Sequence, residues 1–240
     1  MININHISKT FTGDNKAVDD LTLTIPDGEI IGFIGPNGAG KTTTIKMMTG
    51  ILESDTGSIE LNGINIVKNP IEAKKQIGFV SDDADIFLRL KGIEYLNFMA
   101  DIYDVDNIDR KTRITKLSEE FEMEKALNDK IISYSHGMRQ KIMIMGVLIC
   151  NPKIWILDEP MTGLDPTSSY KLKQMMKDHA SKGNTVFFST HVLEVAEKLC
   201  DKVAIINKGK IVYYGTLEEL KVMYTGDSLE DIFMKVISHE

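Results

Sequence analysis

The stretch 30–44 holds the groups best placed to do chemistry. An apolar run of strand length, Ile30-Ile31-Gly32-Phe33-Ile34, leads into Gly35-Pro36-Asn37-Gly38-Ala39-Gly40-Lys41-Thr42-Thr43. There three glycines let the backbone turn its N–H groups toward one point ahead of a helix start. A helix N-terminus offers unpaired donors and the positive end of the peptide dipole, so an anion is favoured there. In such a cradle Lys41 reaches the β- and γ-phosphates and the Thr42 hydroxyl sits on Mg²⁺. The spacing is that of a P-loop, with the strand before it and the helix after it that the motif requires.

Asp158 and Glu159 form the second group. They end the run Ile154-Trp155-Ile156-Leu157, apolar throughout as expected of a parallel strand buried on both faces. Ligands of open α/β sheets bind outside the carboxyl ends of the strands, so both acids are predicted beside the cradle. There Asp158 can hold Mg²⁺ through its waters, and Glu159 can polarise the water that attacks the γ-phosphate. Acids at strand ends are commonly just solvated, and it is the P-loop that gives these two a task.

Positioning such a site takes a particular set of elements. Ile2, Ile4 and Ile7, and then Leu21-Thr22-Leu23-Thr24-Ile25, alternate as strands with one buried face, with Phe11 in a polar loop between them. A helix is predicted over 41–49, stopped by Gly50, and then a hairpin of 58–61 and 64–66 about Asn62-Gly63. Residues 77–80 read as a short strand ending in the acidic Ser81-Asp82-Asp83-Ala84-Asp85. From 93 to about 124 two apolar stripes at helical spacing imply a helical insert. The helix that follows Ser135 runs to Asn151-Pro152 with Ile142, Met145 and Ile149 on one face, a core stripe. Residues 185–189 repeat the buried-strand form and end near His191, with helices at 167–180 and 192–199. A closing hairpin pairs 203–206 with 211–214 about Asn207-Lys208-Gly209.

At 240 residues the chain has room for one or two domains and a large core. Its formal charge of −7 argues against a nucleic-acid surface, and no nucleic-acid partner is expected. Cys150 and Cys200 lack a CxxC partner and read as buried small hydrophobes in a reducing compartment. No apolar run approaches the ~20 residues that span a bilayer, and the start MININHISKT lacks a signal-peptide core. The expectation is a soluble chain, free to dock on a membrane partner.

In order and spacing the motifs resemble those of the nucleotide-binding subunit of an ATP-binding-cassette (ABC) transporter, over essentially the whole chain. Residues 35–43 resemble the Walker A segment, 154–159 the Walker B strand with its catalytic Glu, Gly163-Leu164-Asp165 the D-loop and His191 the switch histidine. Ser135-His136-Gly137-Met138-Arg139-Gln140 resembles the family signature that opens a helix, and Phe11 falls where the family has an aromatic that stacks on adenine. The resemblance implies an α/β fold: a P-loop NTPase core with a mostly parallel sheet, an N-terminal antiparallel β part and a helical insert at about 90–150, all in a single ABC ATPase domain over 1–240. It implies Glu159 and His191 as catalytic residues. It implies ATP held by Phe11, Gly35, Pro36, Asn37, Gly38, Ala39, Gly40, Lys41, Thr42 and Thr43, and by Ser135, His136 and Gly137. Magnesium falls to Thr42 and Asp158, with Asp82 as a further candidate. Two subunits, alike or different, are expected to pair head-to-tail so that ATP on one P-loop meets the signature Ser of the other. A separate transmembrane permease would hold the pair at the cytoplasmic face of the membrane. Two positions depart from the common pattern: His136 replaces a Gly, and Asp82 replaces a Gln. A carboxylate at 82 could serve as ligand or contact water, although it adds negative charge beside a triphosphate.

Three functions follow. The first is the ATPase engine of a membrane exporter, with the substrate decided by the permease. The second is a soluble ABC ATPase of translation or DNA repair, which usually carries two cassettes or a long coiled-coil insertion; this chain has one cassette, no sustained heptads and an acidic balance. The third is a weakly hydrolysing regulatory module, opposed by Glu159 and kept open by Asp82 and His136. The tail Ser228-Leu229-Glu230-Asp231-Ile232-Phe233 resembles the ending of cassettes that serve drug, antibiotic or polysaccharide export. Leu229, Ile232, Phe233, Val236 and Ile237 fall on one face, with Glu230, Asp231 and Lys235 opposite, so an amphipathic helix is expected at about 228–238. It is too short to stand alone in water and must be covered, by its own cassette or by a partner.

Overall fold

A computed structural model describes residues 1–13, 15–85, 87–224 and 229–238. The chain opens with a long hairpin, β1 (Ile2–Phe11) and β2 (Asn15–Ile25), in which Ile2, Ile4, Ile7, Leu21, Leu23 and Ile25 are buried as their alternation predicts. Phe11 is the last residue of β1 and not part of a loop. Ser8 and Lys9 are partly covered and Thr10 and Phe11 exposed, so the polar far end lacks a clean alternation, and the strand runs on through three shifts of register between Ile4 and Thr10. The buried strand β3 (Ile30–Ile34) and the helix α1 (Lys41–Met48) follow, then β4 (Thr56–Leu61) and β5 (Ile64–Asn65) about the predicted Asn62-Gly63 turn. A five-residue helix α2 (Pro70–Lys74) leads into β6 (Ile77–Val80).

The helical region is three helices: α3 (Gly92–Ile102), α4 (Asn107–Phe121) and α5 (His136–Cys150). α3 and α4 are separate because Asp104 turns left-handed and Asp106 caps α4, accepting from the N–H groups of Ile108 and Asp109. Beyond them come β7 (Ile154–Leu157), α6 (Pro166–Ser181), β8 (Thr185–Thr190), α7 (Leu193–Leu199), β9 (Lys202–Asn207), β10 (Lys210–Gly215), α8 (Leu217–Met223) and α9 (Leu229–Ser238).

Two sheets result. One is antiparallel in the order β2-β1-β4-β5; the other runs β10-β9-β3-β8-β7-β6, parallel except for the β9–β10 pair. The α/β fold with an antiparallel front and a helical part is the one the sequence predicts. One apolar cluster fills the space between the sheets, including Phe33 and Phe187 with ring centroids 5.2 Å apart. A second joins α3, α4 and α5 to β7 and α6 and holds the Ile142, Met145, Ile149 stripe. The ends of β3, β7 and β8 therefore emerge together on one edge, where the chemistry-bearing residues sit.

α9 lies on its own cassette, with Ile232 and Val236 buried and Phe233 and Ile237 packed beside them. Ser228, where the tail motif begins, lies outside the described residues. Cys150 and Cys200 are free and half-buried, and burial pushes the Cys150 thiol up to about 12, which favours the protonated thiol at neutral pH. Among the described residues no helix is long and apolar enough to cross a membrane.

Candidate active site

β3 delivers the cradle into a space with no room for a side chain at Gly35 or Gly40. A Cβ on Gly35 would lie 2.4 Å from Ile206 O, and one on Gly40, itself left-handed at φ 108°, would lie 2.4 Å from Ala17 O. No side chain caps α1 at Gly40, so the first-turn donors are left for a ligand. Lys41 is only 8% exposed, and its Nζ donates to Gly35 O at 2.7 Å and Pro36 O at 3.2 Å. Burial pulls its pKa down while Glu159 and Asp158 oppose that shift.

β7 brings Asp158 and Glu159 to the same place. Asp158 is 1% exposed; its Oδ1 accepts from Ser189 Oγ at 2.5 Å, whereas its Oδ2 is buried with no hydrogen-bond partner. Burial pushes the carboxyl up, the Ser189 and Thr42 hydroxyls lower it, and the charges of Asp82 and Glu159 push it up again. Thr42 thus lies near enough to be felt electrostatically without satisfying Oδ2. Glu159 takes a left-handed backbone at φ 47°, its N–H donating to Ser189 Oγ at 2.9 Å. Its Oε2 lies 3.0 Å from Nδ1 of His191, so the imidazole N–H donates to the carboxylate. Asn37, Gly38, Gly40, Lys41, Thr42, Thr43, Asp82, Asp158 and Glu159 line one cavity of about 250 Å³. Ser189, which holds Asp158 and Glu159 together, is absent from the residues predicted by sequence. Its role comes from the register of β8 beside β7, Leu157 opposite Phe188, which no local motif reports.

Phe11, Ser135, His136 and Gly137 do not line this cavity. Phe11 is 44% exposed at the end of β1. Ser135 caps α5, accepting from Met138 N–H at 3.3 Å, and it and His136 are exposed. Three successive residues of α5 grip the loops leading out of the cavity. Arg139 pairs with Asp85 on the loop after Asp82 and donates to Ile132 O at 3.0 Å; Gln140 Nε2 reaches Pro160 O at 3.5 Å; Lys141 Nζ lies 2.8 Å from Asp165 Oδ2. Lys141 and the Ser168 donors hold the Asp165 carboxyl well below the usual carboxylate range. The His136 ring covers Gly163, left-handed at φ 79°, where a Cβ would stand 2.4 Å from Cδ2.

Comparison with known proteins gives this arrangement its relatives. The family model "ABC transporter" matches residues 18–162. The ABC transporter ATP-binding protein NatA of Bacillus subtilis (strain 168) is 37% identical over 238 residues, 98% of this chain and 97% of NatA. The daunorubicin resistance ATP-binding protein DrrA3 of Streptomyces coeruleorubidus is 32% identical over 91% of this chain and 69% of DrrA3. Among solved structures, an ATP binding subunit of an ABC transporter superposes with a TM-score of 0.93 at 30% identity, covering 98% of this chain and 99% of that one. The dimeric structure of MJ0796, a bacterial ABC transporter cassette, gives 0.81 at 25% identity, covering 90% and 99%. With a P-loop cradle and strand-end acids facing one cavity, and with this degree of likeness, the chain belongs to the ABC transporter family as an ATP-binding subunit that hydrolyses ATP.

Proposed function

We propose that the chain is one half of an ATP-driven pair that powers a membrane exporter, with the whole of 1–240 acting as a single ABC ATPase domain. The observation that carries this reading is the convergence of Lys41, Thr42, Asp158 and Glu159 on one cavity, a complete phosphoryl-transfer set. Gly35, Pro36, Asn37, Gly38, Ala39, Gly40 and Thr43 cradle the phosphates, and Lys41 leaves the carbonyls of Gly35 and Pro36 to meet them. Glu159 is the general base, and the His191 N–H orients its carboxylate. Its left-handed backbone is the kind of strain that persists at working sites.

Asp158 Oδ2, buried and unpartnered near the Thr42 hydroxyl, fits a magnesium ion, with Asp82 on the same cavity as a further carboxylate. Among the described residues no three His, Cys, Asp or Glu side chains are grouped to hold a metal, so Thr42 and Asp158 would hold the ion together with water and the nucleotide. When bound, the ion neutralises charge on the β- and γ-oxygens.

Ser135, His136 and Gly137 open α5 on the exposed surface, away from their own cavity, a placement suited to the γ-phosphate held by a second cassette. Phe11 stacks on adenine, a reading its partial exposure allows. The dimeric MJ0796 cassette supports the pairing, and DrrA3, a daunorubicin resistance protein, supports export. A separate permease holds the pair at the cytoplasmic face of the membrane.

Glu159→Gln tests the mechanism. It is expected to retain ATP binding while turnover falls at least ~10²-fold, the scale of lost general-base help. Unchanged turnover removes Glu159 from the reaction.

A further inference from the structure

The cradle rests on the end of β9 and the turn that follows. Ile206 O closes against Gly35, and Gly209, left-handed at φ 82°, donates its N–H to Ala39 O at 2.9 Å while its carbonyl accepts from Asp19 N–H at 2.9 Å. Asn207 lies between these two supports and is 6% exposed. Its amide does not bond to the turn. Nδ2 donates instead to Ile237 O at 3.1 Å, one of the carbonyls at the end of α9 that no intrahelical N–H can reach. α9 also places Ile232 and Val236 in one apolar cluster with Ile34, the residue before Gly35, and with Ala196 on the helix that follows His191. One short helix therefore backs the start of the P-loop, the His191 segment and the turn beneath Ala39.

We infer that Asn207 is a positioning residue for the nucleotide cradle, the joint through which the C-terminal helix fixes the 207–209 turn under Gly35 and Ala39. This rests on the reading of 35–43 as the ATP cradle. Asn207 is remote from Glu159 and His191 in the hydrogen-bond scheme, so loss of the joint loosens the cradle and leaves the hydrolytic groups in place. The effect falls on nucleotide affinity and not on turnover.

The test is ATP titration and steady-state hydrolysis on the full chain for wild type, Asn207→Ala, Asn207→Asp, Val236→Asp and the Asn207→Ala/Val236→Asp double variant. Asn207→Asp keeps the size of the side chain and replaces the donor with a carboxylate facing Ile237 O. In the Asn207 variants Kd and KM are expected to rise about three- to tenfold, the scale of one hydrogen bond, with kcat within about twofold of wild type, whereas Val236→Asp, whose cluster also holds Ala196 on the helix after His191, is expected to weaken affinity and to lower kcat as well. Because both changes break one joint, the double variant should match Val236→Asp alone. A merely structural role would lower thermal stability and the active fraction, and so kcat, at unchanged KM. That result, wild-type affinity in the Asn207 variants, or additive effects in the double variant would each overturn the inference. If Asn207→Asp fails to fold, Asn207→Ser must show the same split on a smaller scale. Lys41→Ala separates the two levels: binding unaffected by Lys41→Ala defeats the cradle reading, whereas binding lost in Lys41→Ala and untouched in the Asn207 variants defeats the joint alone.

Discussion

His179 illustrates what burial does to a single side chain. It is 4% exposed, its ring stacks on Trp155 at 4.0 Å and 16°, and desolvation drives its pKa down to about 4, aided by the charge of Lys182 and opposed by a hydrogen bond with the Lys153 backbone. Between pH 6.5 and about 4 the unfolded chain therefore binds a proton at this site that the folded chain does not. The contribution of His179 to stability is full above pH 6.5, falls as the pH drops through that window and levels off below it. Melting curves at pH 7 and pH 5 should show a smaller drop for His179→Gln than for wild type, whatever the variant's own offset. An equal drop would assign the acid sensitivity to other groups. At this scale the sequence is a good guide where the signal is local: the meeting of Lys41, Thr42, Asp158 and Glu159 at one cavity is legible from residue type and spacing. Ser189 and the partners of Arg139 and Lys141 are not, because register and long-range packing decide them.

Among the elements, α6 shows how one residue can serve two purposes. Asp165 accepts from Ser168 N–H at 2.8 Å as its N-cap and also pairs with Lys141 on α5. Asp165→Ala is expected to cost about 1 kcal/mol from the cap, which for a chain of this length lowers Tm by roughly 2–4 °C. Calorimetry at neutral pH checks this, and an unchanged Tm would mean that water replaces the cap without loss. The long apolar and alternating runs made most elements legible. α2 escaped because five residues carry no period, and Pro70 at its first turn reads equally as a turn. α8 escaped although Thr216 and Glu219 form a capping box, a signal that could have marked it. The far end of β1 read as loop because exposed strands lack alternation, and there the pairing of Lys9 with Val18 and of Phe11 with Asn15 decides the structure.

At the scale of the molecule, the cavity lies at the strand ends of the larger sheet and the start of α5 does not line it, so in the proposed pair each copy would supply the cradle for one nucleotide and the α5 start for the other. The Glu159→Gln chain with saturating ATP is accordingly expected to elute as a dimer by size exclusion with light scattering, and Ser135→Ala added to it should shift the balance toward monomer. A monomer under saturating ATP, or a dimer indifferent to Ser135→Ala, would leave α5 without its proposed task. The hold of Arg139, Gln140 and Lys141 on the loops from Asp82 and Glu159 ties what a protomer keeps to what it lends. In the proposed pair, a copy whose own Glu159 loop is distorted also offers a misplaced α5 to its neighbour. Damage to one copy is then felt by both, and a mixed dimer performs like its weaker member.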